Sequence, residues 1–536
     1  MDTLVAQVSK ETGIAPDVLT GAIPLFGTYP FAILWLLLPK STPPACKHLY
    51  TIVVASVLIG LVFTHTTFIK MVTMSLLTYI AVVSLQGNVC MPIVVFIGNM
   101  GYLIWNFFSS QILSQDSSTF DQTIPLMILT IKLTSIGWAI HDGTMPEDSL
   151  LPEQKVSAVK TIPGPLEFMG YLLWFPSFMV GPAIQSQEYH AFIHRLPPFD
   201  RIPNTIIPAL QKLAVATIYM SVYLACASRA SYVYCTTDEF ANSSLVYKFT
   251  YIFFAGIITR TKYYTAWSLS DGASTLTGFG YSGYNGDTGR HEWTRARNVD
   301  VLGLELASNV RGLLESWNIK TALWLRHAVY LRLRAIHPTQ SGGIATLATF
   351  ITSACWHGFH VGYYLTFASG ALLTSSARLV RRNVRPLVCA SRYKPLYDVA
   401  GWLASVLATD YIVMPFVLFK FSDSVKAWRA FYFIPHVVML GIVVSFKYLG
   451  AGRCVAMLGR RLGVATEPLD AGAAAKKVLG KIVVDRTEVV HERVGDRNGQ
   501  SITQRSNGHV TSSVVADLAA EPTATNSGSE SSNSIR

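Results

Sequence analysis

Between Met71 and Gln115 the chain carries no Asp, Glu, Lys or Arg. That is enough apolar sequence for about two membrane crossings of ~20 residues each. Gly87, Asn88 and Pro92 supply a break between them. The run is continuous and does not alternate apolar with polar residues, which excludes the pattern of a membrane β-barrel. The chain is therefore expected to be an all-α, polytopic membrane helical bundle.

Composition agrees. The 536 residues are 51% hydrophobic, 12% aromatic and only 14% charged, against roughly 25% charged in soluble domains. Mean hydropathy is +0.36. Further apolar runs lie at Phe26–Leu38, Leu49–Ile69, Ile124–Ile140, Phe168–Gln187, Leu213–Ser228, Phe249–Thr259, Ile344–Leu373, Val399–Phe419 and Ala430–Phe446. With two spans from the Met71–Gln115 run, the count is about eleven, within about two, at ~20 residues per crossing. The short or proline-containing runs are candidates for re-entrant segments. No cleavable signal peptide is expected, because Met1–Ala22 lacks a basic start followed by an apolar centre.

The net charge is +11. Much of it sits in Arg290–Arg334 and in the tail after Gly452. Positive loops tend to stay cytoplasmic. Lys40 and Lys47 therefore place the C-terminal end of the first span in the cytoplasm, with the N-terminus lumenal. An odd span count then leaves the basic tail cytoplasmic. The sequence divides into an N-terminal segment 1–19, a transmembrane domain 20–452 and a polar tail 453–536. The part from Asp485 to Arg536, rich in Ser, Asn and Thr, is expected to be disordered. No internal repeat of the kind seen in two-half transporters is visible. Seven scattered cysteines contain no C-x-x-C pair, so neither a disulfide framework nor a zinc site follows from their spacing. Cys355 reads as a small core residue. Asn242-Ser243-Ser244 is a glycosylation sequon, relevant only in a lumenal loop.

Chemistry is concentrated in two places. The run SACWHGFHVGYYLTF occupies 353–367, inside Ile344–Leu373. An ionisable residue at membrane depth usually marks function, and His357 can take and return a proton near neutral pH. Read as one helix, His357, His360, Tyr364 and Phe367 share a face, and Gly358 and Gly362 form a groove for close approach. The bland alternative is a packing helix with an inert, hydrogen-bonded histidine. The second place is Glu315-Ser316-Trp317-Asn318-Ile319-Lys320-Thr321. An asparagine amide can donate to a developing oxyanion or orient an imidazole, although an asparagine at a helix end is more often a cap. Lys320, Arg326, Arg332 and Arg334, interleaved with Trp324 and Tyr330, suit a membrane surface or a phosphate-bearing donor. Gly278 to Gly283 matches G-x-G-x-x-G but lacks the preceding strand of a dinucleotide site, and reads as a turn. Asp410, alone in an apolar span, reads as a helix-packing hydrogen bond or part of a polar cavity.

Taken in order, FPSFMVGPAIQSQEY at 175–189, GFGYSGYNG at 278–286, ESWNIKTALWLRHAVYLRL at 315–333 and SACWHGFHVGYYLTF at 353–367 resemble the membrane-bound O-acyltransferase family. The likeness is greatest to the fungal and plant type of lysophospholipid acyltransferase. The last stretch contains W-H-G-x-x-x-G-Y-x-x-x-F in full, and Tyr397-Asp398, Tyr411 and Phe416 match later family positions. The resemblance covers roughly 20–450. It implies a helical bundle enclosing a reaction chamber, acyl-CoA as co-substrate and a lysophospholipid as acceptor. Catalytic roles fall on His357 and Asn318, and substrate contacts on Trp317, Lys320, Arg326, Trp356, Gly358, His360, Gly362, Tyr363 and Tyr364. No bound cofactor and no metal are required, and residence in the endoplasmic reticulum membrane follows from the resemblance alone. Cys355, His360 and Val361 depart from the family pattern and bear on pocket shape. Alternatives are a family enzyme acting on a sterol, diacylglycerol or a protein, a transporter relaying protons through His357 and Asp410, or a non-catalytic membrane protein. Nucleic-acid binding does not fit a bundle this apolar.

Overall fold

A computed structural model describes residues 2–12, 16–113, 123–336, 342–389 and 391–461. The expected disorder of Asp485–Arg536 and most of the polar tail lie outside the described residues. The first residues of that tail belong to a helix, Ala451–Arg461, with Arg460 and Arg461 in its last turn.

Helices make up nearly all of the structure. Among the described residues the strands form one short antiparallel hairpin, Gly283–Asn285 with Arg290–Glu292, in which Gly283 faces Glu292. Seven helices are long and apolar enough to cross a membrane: Val18–Leu36, Pro44–Val62, His65–Ser84, Met91–Ile112, Thr123–Thr144, Ile206–Cys226 and Lys394–Leu418. Phe421–Ala430 and Ile434–Lys447 form an eighth candidate, bent by 82° between its halves. These correspond to eight of the eleven runs expected from sequence.

The other three are a different kind of object. Phe249–Thr259 lies within one 32-residue helix, Leu245–Leu276, about 48 Å long at 1.5 Å per residue. Its C-terminal half buries Thr261, Ser270, Asp271, Ser274 and Thr275, so its hydropathy is diluted. Ile344–Leu373 is broken into Gly343–His357 and Val361–Asn383. Phe168–Gln187 is a short helix, Pro165–Leu172, followed by non-helical backbone up to Ser186.

That last segment shows what irregular backbone inside a bundle requires. With lipid offering no hydrogen bonds, non-helical backbone at depth must find partners within the protein. The buried Lys132 ammonium donates to the Tyr171 and Leu172 carbonyls at 2.9 and 3.1 Å, capping the helix end. The Ser270 hydroxyl reaches the carbonyls of Pro176 and Gly181, each at 2.6 Å. The Trp267 indole donates to Val180 O and the Tyr171 hydroxyl to Ile184 O. Trp174, Phe175, Phe192 and Phe279 close over the segment as a ring cluster. Lys47, which the sequence suggested as a topology signal, is buried and donates to Ile193 O at 3.0 Å. It joins the first turns of Pro44–Val62 to the segment after Tyr189.

Candidate active site

His357 is the last residue of its helix. Gly358 ends that helix at φ 116°, a conformation open to glycine at little cost. A side chain there would meet Phe107 and Gln111. The next amide, Phe359 N–H, is caught by Gln111 Oε1 at 3.0 Å, and the chain re-enters a helix at Val361. The single helical face read from sequence for His357, His360, Tyr364 and Phe367 therefore does not exist, because the break at Gly358–His360 resets the periodicity. Gly358 and Gly362 do not share a helix groove either. Gly362 instead permits a backbone crossing: a Cβ there would run into the Pro415 carbonyl, and its N–H donates to Phe419 O at 3.0 Å.

The break turns the imidazole of His357 into a cage of rings. Trp356 lies 4.6 Å away edge-on, Phe416 4.9 Å, Phe367 5.3 Å stacked and Tyr363 5.5 Å between centroids. Among the described residues no protein group hydrogen-bonds the imidazole, and the residue keeps part of its surface accessible. Phe416 reaches the cage from Lys394–Leu418, across the crossing that Gly362 permits. His360 faces Phe419 at 4.6 Å and Tyr363 at 5.6 Å, on the rim of the cage. Tyr364 is partly exposed and meets Cys355 instead. Trp356 is buried and points into the bundle, its indole donating to Met127 O at 3.0 Å and its ring 6.0 Å from Trp324.

Asn318 sits between two helices, Val310–Ser316 and Ile319–Leu325. Its backbone is left-handed, φ 44° and ψ 52°, a conformation that asparagine tolerates better than most residues. The residue that holds it there is Asn298, which the sequence reading missed. Buried Asn298 donates from Nδ2 to Asn318 Oδ1 at 3.0 Å, accepts the Lys320 N–H on its own Oδ1 at 3.0 Å and accepts the Ile319 N–H on its carbonyl at 2.8 Å. With its oxygen occupied, Asn318 presents its Nδ2–H₂ as a donor unclaimed among the described residues. Trp317 packs on Tyr263, Tyr264 and Trp267 at 4.9–6.3 Å and anchors the turn. Asn318 and His357 are not hydrogen-bonded to each other. The helices that follow and precede them meet through Trp324 and Trp356.

A narrow open cleft is lined by Lys320, Trp324, His327 and Arg332, and by Asp142, Gln185 and Gln187. Burial, with nearby Arg326 second, pushes His327 down to about 4, so it is neutral at physiological pH. The basic residues differ in availability. Arg332 makes a two-pronged pair with Asp142, at 2.8 and 2.6 Å, and lies over Trp138. Arg326 is buried and pairs with Glu153 at 3.2 Å. Lys320 is half-buried on the cleft wall and pairs with no carboxylate among the described residues. Asp410, by contrast, is held through one oxygen, Oδ1, while its buried Oδ2 has no hydrogen-bond partner among the described residues. It pairs with Arg260, which also binds Glu305 at 2.8 Å, and the Tyr264 hydroxyl donates to Glu305 at 2.5 Å. Among the described residues no hydrogen bond links this cluster to His357. Gly278–Gly283 follows a helix and leads into the hairpin, as the turn reading expected.

Comparison with known proteins agrees on a family. The family model described as MBOAT, membrane-bound O-acyltransferase, matches residues 107–418. A lysophospholipid acyltransferase of Schizosaccharomyces pombe is 34% identical over 457 residues, covering 82% of this chain and 88% of the relative. A lysophospholipid acyltransferase of Saccharomyces cerevisiae is 32% identical over 469 residues, covering 82% and 75%. The human membrane-bound glycerophospholipid O-acyltransferase 1 is 32% identical over 369 residues, covering 64% and 72%.

Proposed function

The chain belongs to the membrane-bound O-acyltransferase family, and from that premise we propose that it transfers a fatty acyl group from acyl-CoA to the free hydroxyl of a lysophospholipid, with His357 as general base. The observation that carries the role of His357 is an imidazole with no hydrogen-bond partner among the described residues, partly accessible, in a cage of aromatic rings at a helix break. A buried polar group normally finds a partner. One left without a partner, and still partly accessible, is available to a substrate.

In the proposed reaction His357 accepts the hydroxyl proton as the lysophospholipid oxygen attacks the thioester carbonyl. The C–S bond breaks, and CoA leaves as thiolate and takes up the proton. Asn318 donates its free Nδ2–H to the carbonyl oxygen as charge develops there, a contribution of about 10²–10³-fold for donors of this kind. Asn298 supports that role by fixing which end of the amide faces away. Lys320 is the cation best placed for the CoA phosphates, because its neighbours Arg326 and Arg332 are already held by carboxylates. The aromatic cage suits an acyl chain and keeps water from the thioester. Residues 20–452 would form the acyltransferase domain, in the endoplasmic reticulum membrane, with the polar tail cytoplasmic.

The test is a product assay on purified protein, offering lysophospholipids of several head groups together with several acyl-CoAs, and His357→Ala as control. Phospholipid product from the wild type and none above background from the variant is the expected result. Transfer only to a sterol, diacylglycerol or a protein overturns the acceptor. Full activity in His357→Ala overturns the base.

A further inference from the structure

A second polar cluster lies outside the acyl-transfer site. It gathers residues from three elements: His48 in the first turns of Pro44–Val62, Glu167 in the first turn of Pro165–Leu172, and His194 directly after Ser186–Ile193. One potential ligand atom from each lies within 4.8 Å of the other two. His48 is buried, and its Nδ1 is 2.9 Å from the Tyr189 hydroxyl. His190 brings a fourth donor, with Nδ1 2.6 Å from Glu167 Oε1 and its ring 4.3 Å from that of His194.

We propose that His48, Glu167 and His194 bind one zinc-type divalent ion, with His190 either completing the set or holding the Glu167 carboxylate.

Imidazoles with a carboxylate are a donor set that zinc accepts in tetrahedral geometry at about 2.0–2.2 Å. Those bonds require ligand atoms about 3.3–3.5 Å apart, so the present spacing must contract. His194 is exposed and can supply that movement by side-chain rotation. The Tyr189 hydroxyl on His48 is the kind of outer contact that fixes a ligand's orientation. The facing charges are Glu167, which attracts a cation, and Lys47 and Arg195, which oppose it. The Lys47 ammonium is tethered to Ile193 O. The joint is closely packed, since a Cβ on Gly170 would lie 2.6 Å from the Tyr189 hydroxyl and 3.0 Å from His48 Nδ1. A bound ion would tie three elements together at the edge of the segment that Lys132 and Ser270 support. No step of acyl transfer passes through it.

The experiment uses full-length protein in detergent, purified with a tag that contains no histidine. Zinc per polypeptide is measured after equilibration with buffered Zn²⁺, and affinity by competition with a chromogenic chelator. About one zinc per chain is expected, with affinity falling roughly 10–100-fold in His194→Asn, the scale typical when a ligand or its support is lost. His194→Asn is chosen because the residue is exposed and its loss should leave folding intact, which elution as a single species checks. Chelation should lower the thermal unfolding midpoint of the wild type and not that of the variant. Zinc well below one per chain in the wild type, or equal affinity in His194→Asn, overturns the proposal, whatever the outcome of the acyl-transfer assay.

Discussion

Asp410 and His357 occupy adjoining parts of the bundle in opposite states. Asp410 sits on Lys394–Leu418, is shut off from solvent and ends a chain of charges through Arg260 to Glu305 and Tyr264. His357 sits one helix crossing away, where Phe416 of that same helix reaches its ring, and it is ringed by aromatic side chains with no hydrogen-bond partner among the described residues. In the sequence both are single ionisable residues in apolar runs, and the cost of burying a charge applies to each alike. Their surroundings separate them. A buried charge whose partners are all protein groups is part of the frame. A polar group whose partner is missing, yet which is partly accessible, is kept for a molecule that comes and goes.

That distinction can be broken most directly at His357. His357→Ala is expected to lower the acyl-transfer rate by about 10²–10⁴-fold, the usual worth of a general base. Its thermal unfolding midpoint should stay near that of the wild type, because no hydrogen bond is lost. Activity and unfolding measured on the same preparation check both halves. Asp410→Ala should do the reverse. It leaves Arg260 facing the bundle interior with one carboxylate fewer, a loss of about 3–5 kcal/mol for breaking a buried pair. Low yield and a lowered unfolding midpoint are expected, while the surviving folded fraction keeps its rate per molecule. If Asp410→Ala folded normally but lost acyl transfer, Asp410 would have to be counted with the reacting groups and not with the frame.

Much of this was legible in the sequence, for identifiable reasons. Uncharged runs report membrane crossings because the bilayer excludes charge, so Met71–Gln115 was read as two spans and folds as two, His65–Ser84 and Met91–Ile112. The W-H-G and W-N stretches identified the family. Three things were not legible. The helix break at Gly358 depends on a left-handed-side φ that a G-x-x-x-G reading treats as ordinary helix. The partner of Asn318 is Asn298, in a loop with no periodicity of its own. The pairing of Arg326 and Arg332 with Glu153 and Asp142 spans 173 and 190 residues, beyond any local pattern. Sequence can show that basic residues cluster, but which of them are already neutralised is a tertiary property.

Asn318 tests the comparison from the other side, because one end of its amide is held and the other is not. Asn318→Ala is expected to lower kcat by about 10²–10³-fold if the free Nδ2–H serves the oxyanion, with a smaller change in KM. Asn298→Asp leaves the loop its acceptor for Lys320 N–H but removes the donor to Asn318 Oδ1. The Asn318 amide is then free to turn, so kcat should fall by an intermediate amount while KM holds. Equal, wild-type kcat in both variants would remove Asn318 from the chemistry and leave it a residue suited to a left-handed turn.

The smallest expected effect lies beside the largest. Trp356 and His357 are consecutive in the motif, yet the one polar side-chain atom of Trp356 is claimed, by Met127 O at 3.0 Å. Trp356→Phe keeps most of the ring volume against Trp324 and removes that one donor. The expected cost is about 1 kcal/mol of stability, the net worth of a typical hydrogen bond. It should appear as a small drop in the unfolding midpoint, with kcat within a few-fold of the wild type. The pair of adjacent variants is therefore the sharpest comparison the molecule offers. Were Trp356→Phe to abolish transfer at unchanged stability, the presence of a protein partner would no longer separate frame from site, and the ring at 356 would have to be counted as part of the reacting surface.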